Sequence, residues 1–128
     1  MPSVKKITAV LYVEEIDPCL DLWVNRLGFA KTAEVPEGNK LGFVILAKDG
    51  AEVMYQSRVS VAKDVPAFAG RASGQTNLYA EVSDLAAIER ALKGVNLALP
   101  KRQTSYGATK IGVQDAAGNV IMLAQMGG

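Results

Sequence analysis

Hydrophobic and polar positions follow two rhythms along this chain. Residues 4–16, VKKITAVLYVEEI, alternate: Ile7, Ala9, Leu11 and Val13 share one parity, and Thr8, Val10 and Tyr12 the other. A period of two predicts a strand. The rhythm changes at 17–29, DPCLDLWVNRLGF, where Leu20, Trp23, Val24 and Leu27 fall at i, i+3, i+4 and i+7. That spacing predicts a helix with one apolar stripe. Asp17 is placed to cap it, Pro18 suits the first helical position, and Gly28 suits a left-handed end.

Strand-like segments follow at about 29–35, 40–47 and 51–57, separated by turn signals at Pro36-Glu37-Gly38-Asn39 and Lys48-Asp49-Gly50. Residues 58–73 have no clean period, contain Pro66 and Gly70, and read as a connector with room for one helical turn. The order then starts again. A strand is expected at 76–82, and Asp84 is placed to cap a helix whose stripe is Leu85, Ile88, Leu92 and Val95. Strands are expected at about 97–102, 108–114 and 119–125.

The two halves thus share the order strand, helix, three strands. GFVILAKDGAEVM (42–54) superposes on KIGVQDAAGNVIM (110–122) without a gap, aligning Gly50 with Gly118 and Met54 with Met122. The pattern predicts an α+β domain over 1–128, with module one at about 4–57, the connector at 58–73 and module two at about 74–126. A half of roughly 60 residues buries little core alone, so the modules must pack together or swap between chains.

Composition narrows the chemistry. With 49% hydrophobic and 21% charged residues, the chain has the balance of a globular domain. Fourteen basic against thirteen acidic residues leave no footprint for nucleic acid. No apolar run reaches the roughly 18–20 residues of a membrane span, and MPSVKK shows no signal-peptide pattern, so a cytoplasmic address is expected. With no histidine, Ser-His-Asp and Cys-His nucleophiles and His-ligated metals are excluded; the single Cys19 excludes an intramolecular disulfide and a multi-thiolate site.

Three segments resemble the vicinal oxygen chelate superfamily, the glyoxalase, bleomycin resistance and extradiol dioxygenase type. LYVEEIDPCLDLWVNRLGF (11–29) and YAEVSDLAAIERAL (79–92) are each similar to its strand–Asp–helix segment. YGATKIGVQDAAGNVIML (106–123) resembles its closing hairpin, with Asp115-Ala116-Ala117-Gly118-Asn119 in place of the usual proline-containing turn. The resemblance implies two βαβββ modules whose curled mixed sheets form a cup, commonly in a homodimer.

Enzymes of that family hold a divalent metal at four places, two on the first strands and two on the last strands of the halves. The resemblance places Thr8, Met54, Asn77 and Met122 there. Thioethers, a neutral amide and a hydroxyl are poor ligands for hard or borderline divalent ions. No metal or other cofactor is therefore expected. The family's metal-free branch sequesters antibiotics, which implies a binding protein for a small aromatic or amphipathic molecule. The alternative is a lyase, isomerase or dioxygenase with an atypical site.

Strand parity selects the expected lining: Tyr12, Gln56, Asn77, Tyr79, Glu81, Lys110 and Gln114, with Tyr106 at the mouth. Ordinary polar residues on a wet sheet face give the same pattern. Glu81 and Lys110 could meet across adjacent strands, as a buried acid–base pair or as an exposed ion pair. Tyr106 either stacks on a ligand or covers an apolar edge. Trp23 reads as core. Cys19, with no charged partner evident, reads as inert rather than activated.

Overall fold

The computed structural model describes residues 1–127. Two four-stranded mixed sheets carry the chain. In the first, β1 (Ala9–Val13) runs parallel to β4 (Ala51–Ser57), which pairs with β3 (Lys40–Lys48) and then β2 (Ala30–Glu37). The second repeats the order, with β5 (Asn77–Glu81) parallel to β8 (Val120–Met126), then β7 (Ala108–Gln114) and β6 (Leu99–Gln103). The predicted repeat is the observed architecture, and the strand bounds differ from expectation mainly at the ends. β1 begins only at Ala9, because the preceding residues are not paired in the ladder. Pro36 sits inside edge strand β2 rather than in the turn, beside a register shift, where its missing N–H costs no ladder bond.

The helix expected at 17–29 is helical but not an α-helix. A 3-10 turn, Asp17–Cys19, leads into a π-helix, Asp21–Arg26, and no side chain caps either. Asp17 is therefore not a cap: the residue flanking the first turn is Ile16, already in the right-handed helical region. The wider winding also alters the stripe. Cys19, Leu22, Trp23 and Leu27 are buried, whereas Leu20 and Val24 are half-buried. Gly28 ends the segment at φ +77°, as expected.

The connector holds more order than its sequence suggests. Ser57 accepts a hydrogen bond from the Ser60 amide and caps α1 (Arg58–Asp64), and a 3-10 turn follows at Pro66–Phe68. The Arg58 guanidinium ties the segment down by donating to the carbonyls of Arg71 and Ala69 and pairing with Glu14 at 2.9 Å. In module two, Asp84 caps α2 (Leu85–Ala91) by accepting from the Ala87 amide at 3.1 Å.

The modules pack together through one shared core. Leu11, Val13, Val44, Leu46, Val53 and Tyr55 line the inner face of the first sheet. Ile111, Val113, Ile121 and Leu123 line that of the second, with Leu22, Trp23, Leu85 and Leu92 from the helical segments between them. Among the described residues, no strand of one sheet pairs with a strand of the other. Each sheet therefore keeps an outer face turned away from the common core.

Candidate ligand-binding site

Alternation along the strands decides which side chains reach the outer faces. The expected inner set is confirmed: Leu11, Val13, Ile111 and Val113 are buried, and Ala9, Leu78, Ala80 and Val82 pack against the same core. The opposite parity carries the predicted lining residues. Asn77, Tyr79, Glu81 and Gln114 are exposed, and Tyr12, Gln56 and Lys110 are half-buried.

On the second sheet these residues share the outer face. Met122 pairs with both Tyr79 and Gly112, and the buried Ala124 pairs with both Glu81 and Lys110. A Cβ at position 112 would lie 2.9 Å from Leu99 Cβ, so glycine lets β6 close over β7 here. Tyr79 and Glu81 rise on the β5 side, and Lys110 and Gln114 on the β7 side. Tyr106, in the turn before β7, brings its hydroxyl to 3.4 Å from that of Tyr79, longer than a typical hydroxyl pair. The two phenols are 51% and 55% exposed, so both ring bodies are available to a ligand. The Tyr79 hydroxyl lowers the Tyr106 pKa, helped by the charges of Lys110 and Arg102 and by Thr104. The same contact raises that of Tyr79, and burial and the Glu81 charge push in the same direction.

Glu81 and Lys110 do not meet across adjacent strands, contrary to the expectation from sequence. β8 lies between them, and both align with Ala124. They stand on either side of β8 and form no ion pair with each other.

The first sheet's outer face carries Thr8, Val10 and Tyr12 beside Glu52, Met54 and Gln56. Glu52 is already engaged: Lys6 Nζ lies 3.0 Å from its Oε1, and the Thr8 hydroxyl donates to the same oxygen at 3.1 Å. The Lys6 contact holds its carboxyl below the usual range, and Thr8 adds to this. Gln56 donates to the Ser60 hydroxyl at 3.1 Å. Tyr12 borders a recess of about 350 Å³ closed by the connector residues Phe68, Arg71 and Ser73. Phe68, whose ring lies 5.4 Å from the Arg71 guanidinium carbon, joins this face although the aperiodic connector sequence gave no sign of it.

The four positions to which the family resemblance assigns a metal are Thr8, just before β1, Met54 on β4, Asn77 on β5 and Met122 on β8. None of these side chains is a carboxylate or imidazole. Among the described residues, no three His, Cys, Asp or Glu side chains are grouped to hold a metal. The donor set does not fit a divalent ion.

A buried polar network went unnoticed in the sequence. Tyr55 donates to Asp115 Oδ2 at 2.6 Å and accepts from the Trp23 indole N–H at 2.8 Å. Asp115 also accepts from the amides of Ala117 and Asn119 and from the Asn119 side chain, each at 2.9 Å. Burial, reinforced by the neighbouring Asp115 carboxylate, pushes the Tyr55 hydroxyl far above its ordinary value. The network ties module one to the β7–β8 turn of module two. Nearby Cys19 is fully buried, and desolvation with the Asp115 charge pushes its thiol up to about 11.

No family model matches the sequence, and no curated protein matches it. The fold has many counterparts among solved structures. A lactoylglutathione lyase from Agrobacterium tumefaciens superposes with a TM-score of 0.76 at 14% identity, over 98% of this chain and 96% of that one. TioX from Micromonospora sp. ML1 gives 0.74 at 18% identity, over 95% and 98% of the chains. A bleomycin resistance determinant encoded on the transposon Tn5 gives 0.70 at 17% identity, over 96% and 98%. The repeated module, its strand order and these superpositions agree: the chain has the vicinal oxygen chelate fold, shared by glyoxalase, bleomycin resistance and dioxygenase proteins.

Proposed function

We propose that this protein is a metal-independent binder of a small aromatic or amphipathic molecule, a role like that of a bleomycin resistance protein. The observation that carries the reading is the outer face of the second sheet, where two half-exposed phenols, Tyr79 and Tyr106, stand on the same face as Glu81, Lys110 and Gln114. Aromatic rings with a few polar groups at the edges suit a planar ligand with hydrogen-bonding substituents. Tyr106, Tyr79 and Lys110 supply the donors, Glu81 and Gln114 the acceptors, and Asn77 either. Tyr12 and Gln56 contribute from the first sheet.

The same reading includes a homodimer. β1 and β5 each have a free edge, the Tyr79 face is exposed, and the connector covers part of the Tyr12 face. A second copy that sets the Tyr12 face against the Tyr79 face would turn two shallow surfaces into one enclosed groove. A cytoplasmic address belongs to this proposal; among the described residues, no helix is long and apolar enough to cross a membrane.

The fold similarity to a lactoylglutathione lyase keeps a catalytic reading in view. Fold alone does not carry an activity, and the residues at Thr8, Met54, Asn77 and Met122 argue against a metal-dependent one. A thermal-shift screen separates the two readings. Chelator-treated protein is expected to gain melting temperature from an aromatic compound and none from Ni, Zn, Mn or Fe alone. Elemental analysis showing one tightly held divalent ion per chain would overturn the proposal.

A further inference from the structure

A further depression lies off both outer faces. Between the modules, on the side of the helical segments, a cleft of about 550 Å³ has one wall of Trp23, Leu27 and Phe29. Ala80, Val82 and Ile88 of module two also line it, with the buried Ile121 and Leu123 beneath. The volume falls within the range of small-molecule sites, and the walls are apolar and aromatic. The Trp23 wall belongs to the π-helix, a winding that is rare and recurs at functional sites.

The charges at the mouth decide what would enter. Seven of the thirteen Asp and Glu residues are held in ion pairs. Of the remaining six, Asp49 and Asp84 border this cleft, as does Glu81, whose side chain takes the outer-face parity. The only base among the lining residues is Lys48, whose ammonium donates to the Leu27 carbonyl at 3.0 Å, while Asp84 accepts from the Ala87 amide. Two carboxylates against one ammonium leave the mouth negative beside an apolar interior. Such a site favours a cation with a compact hydrophobic body and disfavours its anionic counterpart.

We propose that the cleft between the modules is a second ligand site, separate from the outer faces, which takes a compact hydrophobic amine. Trp23 is the only tryptophan and lines the cleft, so its fluorescence reports occupancy directly. The probes are 1-adamantylammonium and its anionic counterpart, 1-adamantanecarboxylate, neither of which absorbs with indole. The amine is expected to change the emission saturably and to bind about tenfold more tightly than the carboxylate. Ala87→Phe and Ala51→Phe, which fill the cleft from opposite sides, should each abolish the change. The double variant Asp49→Asn, Asp84→Asn should weaken amine binding about tenfold, and it keeps α2 capped because asparagine caps a helix as well as aspartate does. Tyr79→Ala, on the outer face, should leave it unchanged.

The proposal fails if the wild-type protein gives no saturable signal, or if the two probes bind equally. It fails also if Tyr79→Ala abolishes binding while a filled cleft retains it. Dissociation of an oligomer by Ala87→Phe, without amine binding to the wild type, would assign the cleft to a second copy and overturn the ligand site. If both Phe variants lose their fold, the charge-removing double variant decides on its own: undiminished amine affinity there contradicts the proposal.

Discussion

Two polar clusters in this molecule use the same side chains to opposite ends. Between the modules, Tyr55 is fully buried and both donates and accepts at 2.6 and 2.8 Å, while the Asp115 carboxylate accepts four hydrogen bonds. On the outer face, Tyr79 and Tyr106 are half exposed and share one long contact of 3.4 Å. A buried phenol costs stability unless every polar partner is supplied, so the first cluster is fully satisfied and rigid. The second has spare hydrogen-bonding capacity and exposed ring faces. Saturated polar groups join the modules; the unsaturated ones on the outer face are those to which the proposal assigns a ligand.

The contrast can be broken most severely at Asp115. Asp115→Ala strips the partners from the Ala117 and Asn119 amides and from Tyr55 at once, and is expected to cost about 3 kcal/mol or more in urea unfolding. Tyr55→Phe removes one donor to a carboxylate and one acceptor for Trp23, with an expected loss of about 2 kcal/mol. Gly74→Ala should cost about 1–3 kcal/mol, because φ is +74° there and a Cβ would meet the Ala117 carbonyl of the β7–β8 turn.

A smaller effect sharpens the comparison through pH. The Cys19 thiol is raised from 9.0 to about 11, so folding favours its protonated form. Its contribution to stability is therefore complete below pH 9 and is lost as pH rises through about 11. Wild type is expected to lose stability across that window relative to Cys19→Ala, and the native thiol should resist a disulfide reagent at pH 8 until the chain unfolds. The smallest expected effect on stability is at the outer face. Tyr79→Ala and Tyr106→Ala should each stay within about 0.5 kcal/mol of wild type while weakening ligand binding about tenfold.

Most of the fold was legible because it is repeated. Period-two alternation identified the inner faces, and a glycine turn preceding a Met-bearing last strand recurs at Gly50–Met54 and Gly118–Met122. What misled was local winding. Leu20, Trp23, Val24 and Leu27 fit an α-helical stripe, yet the segment winds as 3-10 and π, and the core takes Cys19 and Leu22 along with Trp23 and Leu27 while Leu20 and Val24 stay half-buried. No sequence period distinguishes those windings over so short a stretch. The outer-face residues were legible by parity, but the Glu81–Lys110 pair was not, since strand order decides adjacency and β8 runs between their strands. The Tyr55–Asp115 bond escaped notice because it joins residues 60 positions apart on different modules. Asp115 looked like a turn residue and also anchors the packing of the halves.

The most direct test of metal-independent binding at the outer face is a melting-temperature comparison on chelator-treated protein. Wild type and the double variant Tyr79→Ala, Tyr106→Ala are titrated with the best compound from an aromatic screen. A saturable rise for wild type that is absent from the double variant, with unliganded melting temperatures nearly equal, is the result predicted here. A rise of the same size in both proteins, or one that requires an added divalent metal, would contradict it.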